Sequence, residues 1–313
     1  MLGGEGRPRI SVVVASQDAE ATIVECIGAL ARDAAAAEVA VELIVADGSR
    51  DRSHELAHAT FPQLRIVSCP PGTLVPELWS AGLRVARGEL VGITTAHCVP
   101  VEGWIQAMIA AHEHGCAGVG GPIDCDRRAG FVDRAIYFTR YSAYMPPLAA
   151  GNVADLPGDN ASYDAGVLRR FPAYLEGPFW EPFLHAEMRR AGLRLCLDPH
   201  PAVRYVRSHA VAPFLTLRFA HGWHFGTVRA RGESAARCLA RAAALPLVPF
   251  VLAVRIISRT RARPAARRQL FAVLPLVFLF LSAFAAGECL AALAGAFRHR
   301  SNEHLLSDVP GPS

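Results

Sequence analysis

Leu270 to Gly287 is a run of 18 residues without a charge, and the apolar character continues past Glu288 to Phe297. A bilayer span needs about 20 apolar residues, so this run predicts a transmembrane helix. A second uncharged run, Ala242 to Val254, holds 13 residues between Arg241 and Arg255 and is interrupted by Pro246 and Pro249. It falls short of a span and predicts a segment that only dips into the membrane. After Arg255, five more arginines (Arg259, Arg261, Arg263, Arg267 and Arg268) crowd into ten positions between the runs. If both runs crossed, this loop would face the side opposite the N-terminal part, against the positive-inside tendency. With a first run that is re-entrant or interfacial, the arginines stay cytoplasmic. The alternative, a soluble protein with buried apolar helices, fits poorly with the length of the second run.

All 32 Lys/Arg side chains are arginine, and lysine is absent. Schiff-base and pyridoxal-phosphate chemistry, the Walker-type phosphate loop and protein-kinase chemistry each need one placed lysine, so all are excluded. Residues 203–268 hold 13 arginines and a single acid, Glu233, while the rest of the chain is mildly acidic. Beside an apolar run, such a stretch points to anionic membrane lipids as its partner rather than nucleic acid. The eight cysteines include no CxxC pair, and they read as mostly buried free thiols in a reducing compartment. Met1 to Arg9 is polar and the apolar run after it, Ile10 to Ala15, is too short for a signal peptide, which predicts a cytoplasmic N-terminal domain.

From Ile10 to Ile123 short β-branched runs alternate with amphipathic ones. Strands are predicted at Ile10–Ala15, Val41–Ala46, Leu64–Ser68, Leu90–Thr94 and Ala117–Ile123. Helices are predicted at Ala21–Arg32, Ser53–Thr60, Pro76–Ala86 and Trp104–His114. That order implies a mostly parallel α/β sheet with helices on both faces. Such sheets bind ligands at the carboxyl ends of strands, which selects Ala15–Asp18 with Ser16, Asp47–Asp51 and Thr94–Cys98. Residues 124–160 read as less regular. A helix follows at Pro182–Ala191, and strands at Leu193–Leu197 and Val203–Val206.

Asp47-Gly-Ser-Arg-Asp51 ends a buried strand and opens a helix. A carboxylate there can accept from ribose hydroxyls or a base N–H while the glycine allows close approach; the alternative is an N-cap turn. No GxGxxG follows the first strand, which disfavours a dinucleotide cofactor.

Pro8-Arg-Ile-Ser-Val-Val-Val-Ala15, Glu42-Leu-Ile-Val-Ala-Asp-Gly-Ser49 with Asp51, and Ala86-Arg-Gly-Glu-Leu-Val91 together resemble the nucleotide-sugar half of a family 2 glycosyltransferase with the GT-A fold. Gly158-Asp-Asn-Ala-Ser-Tyr163 resembles the acceptor-side segment of that family. Phe179-Trp-Glu181, with Gly192-Leu-Arg-Leu195 and His209 beyond, resembles the stretch that carries its catalytic carboxylate. The likeness covers residues 8–210. It implies transfer of a sugar from a nucleotide-diphosphate donor, usually with inversion, to an acceptor that in membrane-attached members is often lipid-linked. Asp47 and Ser49 match donor-binding positions.

A carboxylate must take the acceptor hydroxyl's proton. Glu181 is the first candidate, Asp159 the second and Glu176 the third; the alternative for Glu181 is an acid favoured by a helix N-terminus. At the end of the fourth strand the family carries an acidic, DxD-like motif for a divalent metal, magnesium or manganese. This chain reads Thr94-Thr-Ala-His-Cys98 there, so Thr95 and Ala96 stand in the places of the carboxylates. His97 alone is a poor ligand for a hard ion, which leaves arginines as the alternative diphosphate clamp. His97 as an ordinary loop histidine is the other reading.

Arg218-Phe-Ala-His-Gly-Trp-His-Phe-Gly-Thr-Val-Arg229 mixes basic and aromatic residues at a predicted headgroup level. Arg218 and Arg229 are candidates for an acceptor's lipid phosphate, or for plain contact with anionic lipid. His221 and His224 lack an evident third ligand and read as interfacial. The expected organisation is a GT-A domain at 1–210, a basic interfacial region at 211–240, a membrane segment of one or two helices at 241–297 with its arginine-rich connection at 259–268, and a tail at 298–313. The functional expectation is a membrane-anchored glycosyltransferase acting on a lipid-linked or glycan acceptor at the cytoplasmic face of the cell (inner) membrane. Its rivals are a catalytically silent relative that binds a nucleotide or glycan, and a soluble nucleotide-binding protein.

Overall fold

The computed structural model describes residues 6–206 and 210–307, with side chains through Phe297. Residues 1–5 of the polar start, His209 and the last tail residues, 308–313, lie outside the described residues. The chain divides into two compact units, Met1–Arg128 with Tyr144–Arg207, and Ala129–Ala143 with Ser208–Ser313.

The first unit begins with β1 (Ile10–Ser16), every residue of which is buried, as a β-branched run covered on both faces must be. α1 (Ile23–Ala36) buries Ile23, Cys26, Ile27 and Leu30, a helical stripe. β2 (Val41–Asp47), α2 (Ser53–Thr60) and β3 (Arg65–Ser68) build outward on one side of β1. After α3 (Val75–Val85) the chain returns to the other side of β1 as β4 (Leu90–Thr95). β1 is parallel to both β2 and β4, so the order of strands reverses between β1 and β4. That switch point opens a crevice at the carboxyl ends of the strands. α3 lies so close to β1 that a Cβ on Gly82 would overlap Val13 Cγ1 and stand 3.2 Å from Cγ2.

β5 (Cys98–Pro100), α4 (Trp104–His112), β6 (Gly118–Gly120) and β7 (Ile123–Cys125) follow. The strand expected over Ala117–Ile123 is thus two. Pro122 cannot donate to a ladder, and Gly121 is pressed against the carbonyl of Pro201. β7 consequently leaves for a small sheet of order β5-β11-β7, where β11 is Val203–Tyr205. The large sheet has the order β3-β2-β1-β4-β9-β6-β10-β8, with β8 Gly151–Asn152, β9 Asn160–Asp164 and β10 Leu195–Leu197. β9 runs antiparallel to β4 and β6, so the sheet is mixed, with four parallel neighbours at its β3–β4 end. Between β9 and β10 lie α6 (Ala165–Leu168), α7 (Ala173–Glu176) and α8 (Glu181–Arg190).

The expectation of free thiols needs correcting at one pair. Cys116 and Cys196 form a disulfide, with Cα atoms 6.0 Å apart, because β6 and β10 pair in parallel and bring together residues 80 apart in sequence. The other six cysteines form no disulfide.

In the second unit, Phe131–Tyr141 of the supposedly irregular 124–160 region is a helix, α5, burying Ala135, Ile136, Phe138 and Tyr141. α9 (Val211–Ala230) packs along α12 (Pro264–Ser307) through Gly222 and Gly226, four positions apart in the manner of small-residue helix contacts. A Cβ on Gly226 would sit 2.8 Å from Ala291 Cβ, and one on Gly287 would overlap the carbonyl of Phe219. The first apolar run is longer than its uncharged length suggested. α10 (Ala235–Ala244), a 3-10 turn and α11 (Val248–Arg259) succeed one another over 25 residues, with Pro246 and Pro249 taken up in first turns. Arg241 stays within this helix because Glu233, at 3.0 Å, and Glu288, at 3.8 Å, face it. Ala235–Arg259 and Pro264–Phe297, with mean hydropathies of 1.8 and 2.4, are two helices long and apolar enough to cross a membrane.

Gly82→Ala should cost about 1–3 kcal/mol in denaturant unfolding of the detergent-solubilised protein, and adding Val13→Ala should recover part of that loss. Simple additivity of the two variants would show that the α3–β1 contact is not what limits residue 82.

Candidate active site

Parallel register sets the first wall of the crevice. Ser16 pairs with Asp47 across β1 and β2, and Ala15 with Thr95 across β1 and β4, so three strand ends deliver their last side chains to one place. Ser49 Oγ lies 2.7 Å from Asp47 Oδ1, 3.2 Å from Ser16 Oγ and 3.0 Å from the Asp18 amide that donates to it. Asp18 adopts a positive φ of 48° and returns the bond, its carboxylate accepting from the Arg50 amide at 2.7 Å. The Asp47–Asp51 motif therefore splits in use. Asp51 accepts from the amides of Glu20 and Ser53, both at 3.0 Å, and from the Ser53 hydroxyl, so it braces the loops. Asp47 points its other oxygen toward His54 Nδ1 at 3.6 Å.

The second wall comes from the turn between β4 and β5 and from the start of β9. His97 is buried; Thr95 Oγ1 stands 3.2 Å from its Nε2, and its ring meets Tyr205 edge-on with centroids 5.6 Å apart. The Val206 amide donates to its carbonyl at 2.9 Å. Asp159 is placed by its neighbours. Thr94 Oγ1 donates to the Asp159 carbonyl at 2.9 Å, while Asn160 accepts from Trp104 Nε1 at 2.8 Å and donates to the carbonyls of Pro122 and Pro201. One ligand atom each from His97, Cys98 and Asp159 lies within 4.8 Å of the other two. Cys98 ends the strand-end segment Thr94–Cys98 selected from the sequence, but its pairing with Asp159 has no signal in local spacing. Behind it, the Cys26 thiol donates to the carbonyls of Thr95 and Cys98, and burial pushes that thiol up to about 12.

Glu181 is the first residue of α8. Its carboxylate lies over Gly158: a Cβ there would overlap Oε1 and stand 2.8 Å from both Glu181 Cδ and Trp79 Cη2. Trp79, held by its Nε1 bond to the Thr94 carbonyl at 2.8 Å, is a further wall residue that sequence reasoning missed. Glu181 thus reaches the residue beside Asp159, whereas Glu176 closes the separate short helix α7. One turn along α8, buried His185 stacks on Tyr163 and is 2.9 Å from its hydroxyl, and Tyr163 packs edge-on against Phe179. This stack fixes the start of α8 against β9.

In the second unit Arg218 lies over the Phe284 ring at 4.6 Å, and burial together with nearby Arg140 pushes its guanidinium down to about 9. Arg229 is engaged by Glu288 at 3.2 Å and Glu233 at 3.5 Å. Burial, with Arg218, Arg140 and His224 nearby, holds His221 well below the usual imidazole range.

A mixed sheet with flanking helices and a switch-point crevice is a GT-A-like fold. Residues 11–171 match glycosyl transferase family 2, just over half of the chain, and the protein belongs to that family. No curated protein matches it. Among solved structures, a mycobacterial protein is 19% identical, with 69% of this chain and 73% of that one covered and a TM-score of 0.48. Glucosyl-3-phosphoglycerate synthase from Mycobacterium tuberculosis, in complex with Mn2+, uridine-diphosphate and phosphoglyceric acid, is 20% identical over 66% of this chain and 73% of that one, with a TM-score of 0.45. S. aureus TarS 1-349 in complex with UDP-GlcNAc is 13% identical over 94% and 92%, with a TM-score of 0.48.

Burial lowers the affinity of His185 for a proton. The unfolded chain therefore binds that proton more readily, and the stability the neutral ring contributes is present above about pH 6.5 and lost as pH falls through it. The destabilisation caused by His185→Gln should shrink between about pH 8 and about pH 5 when unfolding is followed at each pH. A constant difference would contradict a neutral buried ring.

Proposed function

We propose that this chain transfers a sugar from a nucleotide-diphosphate donor to a lipid-linked or glycan acceptor at the cytoplasmic face of the membrane, with inversion. Glu181 takes the proton of the acceptor hydroxyl as its oxygen attacks the anomeric carbon. The bond from that carbon to the diphosphate breaks on the far side, and the nucleotide diphosphate leaves with its electron pair. The observation that carries this reading is the placement of Glu181 over Gly158, the residue before Asp159, and next to Trp79. Asp159 is the second carboxylate of the site. Asp47 and Ser49, backed by Ser16, take the nucleoside, and Thr95 and His97 face the diphosphate. Arg218, which lies over the Phe284 ring with Arg140 nearby, is assigned to an acceptor's phosphate or an anionic headgroup; Arg229, already paired with two acids, adds field rather than a free fork.

The magnesium or manganese that the family resemblance implies does not fit the residues present. Hard ions want several oxygens, and the turn from Thr94 to Cys98 supplies imidazole, thiol and hydroxyl, with Asp159 the one carboxylate of the cluster. No step is routed through such an ion. The same departure favours one second reading, a silent relative that binds the donor without turnover.

Release of nucleotide diphosphate from a panel of nucleotide-sugars, with isolated membranes as the acceptor source, separates the two. Glu181→Gln should lower turnover about 10²–10⁴-fold while donor binding, read by calorimetry, stays within about twofold. Donor binding without turnover in the unaltered protein would favour the silent relative, and neither binding nor turnover with any donor would overturn both.

A further inference from the structure

We infer that His97, Cys98 and Asp159 form a site for a borderline-soft divalent ion of the zinc class at the end of β4. Imidazole, thiolate and carboxylate together are the donors that zinc and cobalt accept, while magnesium, calcium and manganese prefer oxygen alone. The spacing is close to what one ion requires. Ligand bonds of about 2.0–2.3 Å set tetrahedral ligand atoms roughly 3.3–3.8 Å apart. The three atoms here lie within 4.8 Å of one another, so closing on an ion needs shifts of about an ångström.

The backbone beneath the three residues is already committed. His97 and Cys98 follow one another through the turn that ends β4, which lets neighbours in sequence present their donors to one point. The Thr95 hydroxyl and the Tyr205 ring fix the imidazole, as outer partners do for metal-bound histidines. Thr94 and the three bonds of Asn160 fix the segment bearing Asp159. All three residues are buried, so a carboxylate, a thiol and an imidazole meet in a dry site, where a cation would offset the carboxylate's charge.

Three protein donors leave a fourth tetrahedral position open, the pattern of a zinc site that engages substrate. In the transfer reading, a phosphate oxygen of the donor would take that position. That role rests on the transfer reading above; the binding of the ion does not.

Cobalt is the probe. The full chain in detergent, stripped with chelator and titrated with Co2+, should take up one equivalent and show an intense near-ultraviolet thiolate-to-cobalt absorption with tetrahedral visible bands. Zn2+ should displace the cobalt, and Mn2+ should compete at least about 100-fold more weakly. Cys98→Ala should abolish the near-ultraviolet absorption, and Asp159→Asn should weaken cobalt binding about 10–100-fold. X-ray absorption at the zinc edge of the unaltered protein, which needs no variant to fold, should find one sulfur among nitrogen and oxygen neighbours. Absence of sulfur at the zinc, a thiolate band that survives in Cys98→Ala, or Mn2+ binding as tightly as Zn2+ would overturn the site. Stoichiometric zinc with no turnover of any donor leaves the ion site standing and removes the transfer reading. Full turnover in chelator-stripped protein retains the transfer reading and removes the ion's role in it.

Discussion

The parallel pairing of β1 with β2 and β4 is the constraint on which the rest of the crevice depends. Side chains alternate along a strand, so a slip of one residue would turn Asp47 or Thr95 away from Ser16 and into the opposite face. The pairing is held where the first unit is most apolar: Val12, Val13, Val14, Ile44 and Ile93 are all essentially inaccessible. It is also braced at the amino ends, where Glu42 accepts from Ser11 Oγ at 2.5 Å and from the Arg87 amide at 2.9 Å. The Ser11 bond and Arg87 hold the Glu42 carboxyl below its ordinary value against the opposing effect of burial. The reactive end can therefore carry polar side chains because the opposite end and the middle of the same strands supply the stability.

Short-range periodicity made the parallel half of the sheet legible. Strand β1 and helix α3 appear within a residue or so of where alternation and amphipathicity place them, and Asp47, Thr95 and His97 lie at strand ends as expected. What local patterns could not carry are facts of long separation. The Cys116–Cys196 bond depends on strand pairing across 80 residues, and no spacing rule for cysteines detects it. Cys98 looked like a buried thiol until the start of β9 brought Asp159 to it. The antiparallel β9, inserted between β4 and β6, has no counterpart in a reading that extends one parallel unit after another. Helix α5 escaped notice because arginines and tyrosines, whose apolar bodies pack while their tips stay polar, blur the helical stripe.

The C-terminal unit obeys a different rule. Its helices approach closely through glycine, with aromatic pairs such as Phe214 and Phe280 packed beside these contacts, and its buried carboxylate is met by opposite charge: Glu288 on α12 faces Arg229 and Arg241. Arginine suits this setting, since its guanidinium spreads its charge and can serve two carboxylates at once, as Arg241 and Arg229 both do. Arginine is thus spent on internal pairing within the apolar helices here and on pairs such as Arg87 with Glu42 in the first unit.

Sugar transfer by this chain requires that one crevice collect the donor, the base and the cluster at the end of β4. An experimental structure of the full chain with a bound nucleotide diphosphate tests this most directly. The nucleoside should lie against Asp47 and Ser49, and the diphosphate should reach the Thr95–Cys98 turn with Glu181 open to the acceptor side. A nucleotide seated at the amino ends of the strands near Pro8, Val41 and Arg87, where another cavity opens, would contradict it.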